Sequence, residues 1–324
     1  MINETFNLKS TDQKATRDGF GLGLVAAGKN DERIVVLSAD LKESTRVEAF
    51  AKEFPQRFFE IGVAEQNLAT VAAGLATYGK IPFITSYATF SPGRNWEQIR
   101  TTACINDVPV KVIGCHAGLT VGPDGATHQA LEDIAIMRVL PNMTVIVPCD
   151  SNEAYKATLA LAQTNKPAYL RLGREKTAVI TTDATPFEIG KAIIAMDTDT
   201  HDVGIIACGS GVYLALLAAQ ELGSEGINAT VINLHTIKPI DREAIIAIAK
   251  SAGAIVTVEE HQIAGGMGSA VAEVIVEEHP VPMEFVGVRD SFGQSGTPSE
   301  LMNFYNINVA AIKIAVQDVL KRKG

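Results

Sequence analysis

A carboxylate stands where an apolar run gives way to a helical pattern in EIGVAEQNLATVAAGLATYG, residues 60–79: the run ends at Gly62 and Glu65 falls in the first helical turn. A glutamate there complements the partial positive charge of a helix N-terminus, and the alanines behind it favour helix on their own account. Held partly buried, the same carboxyl is suited to sharing a proton with a bound group. A second polar set lies in GCHAGLTVGPDGATHQALED, residues 114–133, with His116 at a strand end and Asp124 and His128 in a glycine-rich loop. Asp124 in PDG is also an ordinary turn-former. A histidine changes charge near neutral pH, and one placed against a reacting group is worth ~10²–10⁴ in rate. Arg17 in KATRDGF and Arg174 in RLGRE each read singly as surface charge, and Arg171 competes with Arg174 for any role in binding an anion.

Positioning such residues requires an α/β scaffold. Short β-rich runs at Arg33–Ser38, Phe58–Gly62, Ile81–Ala88, Val110–His116, Met143–Pro148 and Ala168–Arg171 alternate with helical patterns near 12–28, 65–79, 94–105, 131–139 and 151–164. Continuous apolar strands separated by helices indicate a mostly parallel sheet covered on both faces. The irregular stretch TAVITTDATPF, Thr177–Phe187, marks a boundary. Beyond it the alternation resumes, with strands at Val203–Cys208, Thr230–Leu234, Ala254–Val258 and Glu284–Val288 and helices near 211–222, 241–251, 267–278 and 309–320. The chain thus divides into two tandem α/β domains, 1–180 and 187–324, which its 324 residues accommodate at about 150 each.

A net charge of −9 argues against a nucleic-acid partner, since phosphate backbones call for basic surface. Cys104, Cys115, Cys149 and Cys208 are widely spaced with no CxxC pair, which reads as reduced core thiols rather than a metal site. MINETFNLKS lacks the basic and apolar regions of a signal peptide, and no apolar run approaches the ~18 residues that span a bilayer. A cytoplasmic location is the expectation.

GVAEQN followed by a small-residue helix resembles the pyrimidine-binding domain of the transketolase family. The resemblance implies that Glu65 hydrogen-bonds N1′ of the aminopyrimidine of thiamine diphosphate, favouring the imino tautomer that takes the proton from thiazolium C2. FITSYATFSPGRNWEQIR also resembles the family, placing Tyr87 and Phe90 where aromatics flank the pyrimidine. The string around His116 resembles it too, so that His116 and Asp124 would contact the sugar substrate and His128 would lie near the cofactor's amino group and assist proton transfer. Arg17, Arg174 and Ser44, in SADLKEST, match positions that hold the sugar phosphate, a fork-shaped site of two guanidiniums and a hydroxyl. The segments GKAIIAMD, LHTIKPID and VTVEEHQIAGGMGSAVAE resemble the family's C-terminal domain, where the glycine turn at 209–211 is weak as a nucleotide loop and His261 receives no catalytic role.

The family's GDG triplet and the asparagine some thirty residues later, which grip the diphosphate and its magnesium or other divalent ion, have no match here; GPDG at 122–125 belongs to the substrate loop. The resemblance therefore implies the C-terminal subunit of a split transketolase of the pentose phosphate type, with no metal ligands of its own. It would act with a partner carrying GDG…N in a two-plus-two heterotetramer, with the small residues after Glu65 admitting the partner closely. The 1-deoxyxylulose-5-phosphate synthases share the DG-THQ pattern but usually lack the strand-end histidine. The beta subunit of a 2-oxoacid dehydrogenase gives no reason for His116, Asp124 and Arg174 to occur together. A non-catalytic homologue gives no reason to retain Glu65.

Overall fold

The computed structural model describes residues 1–323. Its larger sheet has seven strands, in the order Thr236–Lys238, Thr144–Ile146, Ala168–Arg171, Lys111–Cys115, Ile81–Tyr87, Ile34–Ser38 and Phe58–Glu60. Neighbours run parallel except Thr236–Lys238, which lies antiparallel to Thr144–Ile146. The inner strands Ile34–Ser38, Lys111–Cys115 and Ala168–Arg171 are buried at every residue, as a sheet covered on both faces demands. One cover is the helix Thr16–Asn30, which lies on the helix Ser151–Ala162 with no room between them. A Cβ on Gly19 would come within 1.8 Å of the Ser151 carbonyl oxygen, so only glycine lets the start of the first helix settle there.

The second sheet has five strands, Met283–Val288, Ile255–Gln262, Val203–Ala207, Ala229–Asn233 and Ile193–Met196, parallel except for the last, which pairs antiparallel with Ala229–Asn233. The two halves exchange pieces. Thr236–Lys238 joins the first sheet from the second half, while Ile2 bridges to Met196. Apolar packing is continuous between them, from Leu68 and Val112 to Ile206 and Ile245. Asp150 anchors the junction: fully buried, it caps the helix Ser151–Ala162 at the Glu153 amide and accepts from the amides of Ile180 and Thr181 and the Thr181 hydroxyl. The four cysteines are free and buried.

The α/β character and the parallel sheets agree with the sequence reading, with most strand ends moved by a residue or two and the strand expected at Ala254–Val258 running on to Gln262. Short edge elements without a pattern of their own escaped it: Ile193–Met196, Thr236–Lys238, and the helices Glu48–Glu53 and Pro298–Phe304. The helical stretch expected at 94–105 is α-helical only over Trp96–Gln98 and continues in π winding over Ile99–Cys104. Among the described residues, no helix is long and apolar enough to cross a membrane.

Candidate functional site

Ligands of open α/β sheets bind beyond the carboxyl ends of the strands, because the loops there are free to vary while the sheet holds their roots. The candidate residues gather at that end. Ser44 follows Ile34–Ser38, Glu65 follows Phe58–Glu60, Tyr87 ends Ile81–Tyr87, His116 follows Lys111–Cys115 and Arg174 follows Ala168–Arg171. Arg17 joins them from the second position of the helix Thr16–Asn30, which the Thr16 hydroxyl ties to the Gly173 amide at 2.8 Å, beside Arg174.

Glu65 is 3% exposed at the start of the helix Glu65–Thr77. Its Oε1 accepts from the Ser86 hydroxyl at 3.2 Å and its Oε2 from Arg94 Nη1 at 3.1 Å. The buried amide of Asn95 donates to the Glu65 carbonyl at 2.9 Å and so fixes the helix start. The Arg94 guanidinium lies 4.1 Å from the centre of the Phe90 ring. Phe90 meets His128 edge to face at 5.3 Å and stacks with Tyr87 at 6.1 Å, and Tyr87 stacks on His116 at 3.9 Å. A carboxylate, an aromatic wall and two imidazoles therefore form one continuous surface. A planar cation between the Glu65 oxygen and the Phe90 ring indicates that this corner fits a flat hydrogen-bonding heterocycle.

At the far end of the wall Arg17 Nη1 donates to the Ser44 carbonyl at 2.8 Å and lies 3.3 Å from His116 Nε2. A guanidinium only donates, so Nε2 accepts and the hydrogen of the neutral ring sits on Nδ1, which has no partner among the described residues. His116 is 2% exposed and its pKa is pushed down to about 3, by burial first and then by the charges of Arg17, Arg174 and His128. Its backbone is left-handed, φ +56°, a costly conformation for a residue with a Cβ and one found where a side chain must be aimed. The charge of Arg17 is itself disfavoured, by burial first and next by Arg46. Arg46 is paired with Asp18 at 2.7 Å and Arg174 with Asp124 at 3.3 Å, whereas among the described residues Arg17 meets only the Ser44 carbonyl and His116.

Asp124 lies 3.3 Å from Arg174 Nη1, which also donates to the Val121 carbonyl at 2.7 Å. Arg171 is occupied elsewhere: buried, it pairs with Asp133 at 2.8 Å and donates to the carbonyls of Ala130 and Glu260. Of the two arginines, Arg174 faces the candidate site. The loop carrying Asp124 is braced by the second half of the chain. Gln129 Nε2 donates to Leu119, Gly122 and Gln294 carbonyls, and Glu260 accepts from the Thr120 amide at 2.7 Å. Gly118 has φ +87°, and a Cβ there would lie 2.3 Å from Glu260 Oε1.

Sequence reasoning missed Ser86, Arg94, Asn95, Gln129 and Glu260 in this arrangement. Arg94 stands in the stretch that resembled the family, yet nothing in its spacing separates it from any exposed arginine. Ala69, Ala72, Ala73 and Ala76 of the helix Glu65–Thr77 pack inward, and the helix they admit is the chain's own Ile99–Cys104; the outward face presents Gln66, Val71 and Gly74. His261 is fully buried beside Asp133 and Glu259, with Nδ1 on the Gln262 carbonyl. Among the described residues no three His, Cys, Asp or Glu side chains converge as metal ligands.

Residues 12–179 match the model of the transketolase pyrimidine-binding domain, and residues 190–312 that of the transketolase C-terminal domain. A protein of Methanocaldococcus jannaschii named "Putative transketolase C-terminal section" is 44% identical over 313 residues, 96% of this chain and 98% of that one. The 6-deoxy-6-sulfo-D-fructose transketolase subunit SqwH of Clostridium sp. (strain MSTE9) is 39% identical over 323 residues, 100% of this chain and 99% of that one. A solved structure described as a split-gene transketolase, inactive beta4 tetramer, is 45% identical and superposes with a TM-score of 0.89 over 96% of this chain and 99% of the other. In sequence and in fold, the chain belongs to the transketolase family and consists of that family's pyrimidine-binding domain followed by its C-terminal domain.

Proposed function

We propose that this chain is the C-terminal subunit of a split, thiamine-diphosphate-dependent transketolase, transferring a two-carbon ketol unit from a ketose to an aldose sugar phosphate in the cytoplasm. The observation that carries this reading is the single polar surface running from the buried Glu65 carboxylate, along Phe90, His128, Tyr87 and His116, to the guanidiniums of Arg17 and Arg174. Thiamine diphosphate, when bound, supplies the nucleophilic ring carbon that carries the two-carbon unit between sugars. Glu65 holds a proton against N1′ of its aminopyrimidine, with Ser86 fixing the other carboxylate oxygen. Phe90 and Tyr87 are the wall for the flat ring. His128, at the edge of Phe90, moves a proton between the cofactor's amino group and the substrate oxygen.

Asp124 and His116 meet the sugar hydroxyls, and Arg17, Ser44 and Arg174 hold the terminal phosphate. A dianion suits this crowd of guanidiniums better than a singly charged sulfonate does, although one relative's name specifies a sulfo sugar. The diphosphate and its magnesium fall to a partner chain carrying GDG…N, in a two-plus-two assembly, with the outward face at Gln66, Val71 and Gly74 against that partner. Two relatives that match almost end to end at this length support a separate subunit. The inactive beta4 tetramer supports self-association without activity. His116, stacked on Tyr87 and bonded to Arg17, favours this reading over a 1-deoxyxylulose-5-phosphate synthase-like or 2-oxoacid dehydrogenase beta-type one.

The test is reconstitution. The purified chain is assayed alone and after co-purification with a GDG…N subunit, with thiamine diphosphate, magnesium and a ketose phosphate plus an aldose phosphate. Activity is expected only in the complex. Substantial transfer by the isolated chain would refute the split-subunit reading, and turnover of pyruvate or of the sulfo sugar in place of the phosphate would redirect the substrate assignment.

A further inference from the structure

Arg94 occupies a place that the proposed cofactor also requires. Its guanidinium carbon sits 4.1 Å from the Phe90 ring centre while Nη1 donates to Glu65 Oε2 at 3.1 Å. A flat nitrogenous group on that ring face, bonded to that carboxylate, is also how an aminopyrimidine would sit. The two cannot share one face and one oxygen. The remainder of the side chain is unanchored: it is 51% exposed, and Glu65 is its only side-chain hydrogen-bond partner among the described residues. The backbone beneath it is held, because the next residue, Asn95, is fully buried and donates to the Glu65 carbonyl and the Ser91 hydroxyl. The root is fixed and the guanidinium has a path to solvent.

We infer that Arg94 is a displaceable plug of the pyrimidine pocket, a built-in planar cation that keeps the Glu65 carboxylate oriented and the Phe90 face covered until an aminopyrimidine replaces it. The inference rests on the cofactor reading given above. It carries a consequence for selectivity. An incoming ligand must restore both contacts, stacking on Phe90 and donating to or sharing a proton with Glu65. Flat apolar rings that offer only the first are disfavoured, since they would leave a buried carboxylate without its partner.

The test titrates the full chain with 4-amino-5-hydroxymethyl-2-methylpyrimidine, and the complex with thiamine diphosphate, by calorimetry or ligand-observed NMR. The parent is compared with Arg94→Ala, Arg94→Lys and Glu65→Gln, with thermal melts to establish folding. Arg94→Ala is expected to bind the pyrimidine about tenfold more tightly, the scale of one half-exposed ion pair together with one cation–π contact. Arg94→Lys keeps the charge without the flat stacking surface and is expected to fall between, so it carries the test should the alanine variant not fold. Glu65→Gln is expected to weaken binding. Unchanged or weaker binding by both Arg94 variants, with the parent still binding, overturns the plug and leaves the cofactor reading standing. An absence of saturable binding to parent, variants and complex alike overturns the cofactor reading and the plug with it.

Discussion

Glu65 is held on both oxygens, by the Ser86 hydroxyl and the Arg94 guanidinium, and buried to 3%. The proposed proton-sharing role of a carboxylate so buried separates from folding only by an isosteric change. Glu65→Gln in the assembled complex is expected to leave assembly nearly intact and to reduce kcat at least ~10²-fold, the scale of lost acid–base assistance, as steady-state assay of the complex will measure. Arg174 is a different kind of residue, exposed by about a third and bound to a carbonyl and to Asp124. Because a terminal phosphate lies far from the reacting carbon, Arg174→Ala is expected to raise KM for the phosphorylated substrate about ten- to a hundredfold, the worth of a charge-assisted hydrogen bond, with little change in kcat. A collapse of kcat with KM unchanged would place Arg174 at the reacting centre instead.

The elements that matter most are those joining the site to the second half of the chain. The loop from Ala117 to Gln129 carries Asp124 and His128, yet Gln129 bonds it to Gln294, Glu260 accepts from Thr120, and Gly118 packs against Glu260. For the proposed contact of Asp124 with a sugar hydroxyl the mount is tertiary. Gly118→Ala adds a Cβ 2.3 Å from Glu260 Oε1 at φ +87°, a conformation costly for any other residue. It is expected to destabilise the protein by about 2 kcal/mol and to raise KM as the loop shifts, read as a fall in Tm together with the kinetics.

At the scale of the whole molecule, burial of ionisable groups determines the response to acid. His116, His235 and His261 are pushed down to about 3, 4 and 4, mainly by desolvation, against an ordinary value of 6.5. They are neutral in the fold, so the unfolded chain binds more protons below pH 6.5. Their contribution to stability is present above that pH and is lost as pH falls through the folded values. Glu153 and Glu259 act with the opposite sign. Burial raises both from 4.5 to about 7, so their contribution is fully present below pH 4.5 and is lost as pH rises through 7. Between 6.5 and 4.5 two glutamates partly offset three histidines; below 4.5 the offset is exhausted. Calorimetry is expected to find Tm declining gently from pH 6.5 to 4.5 and steeply below. A Tm that rises below pH 4.5 would reverse the assigned signs.

The parallel α/β organisation and the run of candidates from Arg17 to Arg174 were legible in the sequence because strand and helix periodicities, a helix-opening glutamate and glycine-rich turns are local properties, written in neighbouring residues. GVAEQN and LHTIKPID added the family by the same local logic. The separation of Arg174 from Arg171 was not local: Asp133, nearly forty residues upstream, and the carbonyls of Ala130 and Glu260 hold Arg171 in the interior, while Arg174 meets the Val121 carbonyl and Asp124. The neutral state of His116 comes first from its burial in the fold, and its tautomer from an arginine 99 positions away. The bracing of the Asp124 loop and the seat of Arg94 on Phe90 are likewise products of the fold. Distance in space, desolvation and competition for a single hydrogen-bonding oxygen arise only when the strands are brought side by side, and these decided which of the chain's candidate residues lie together.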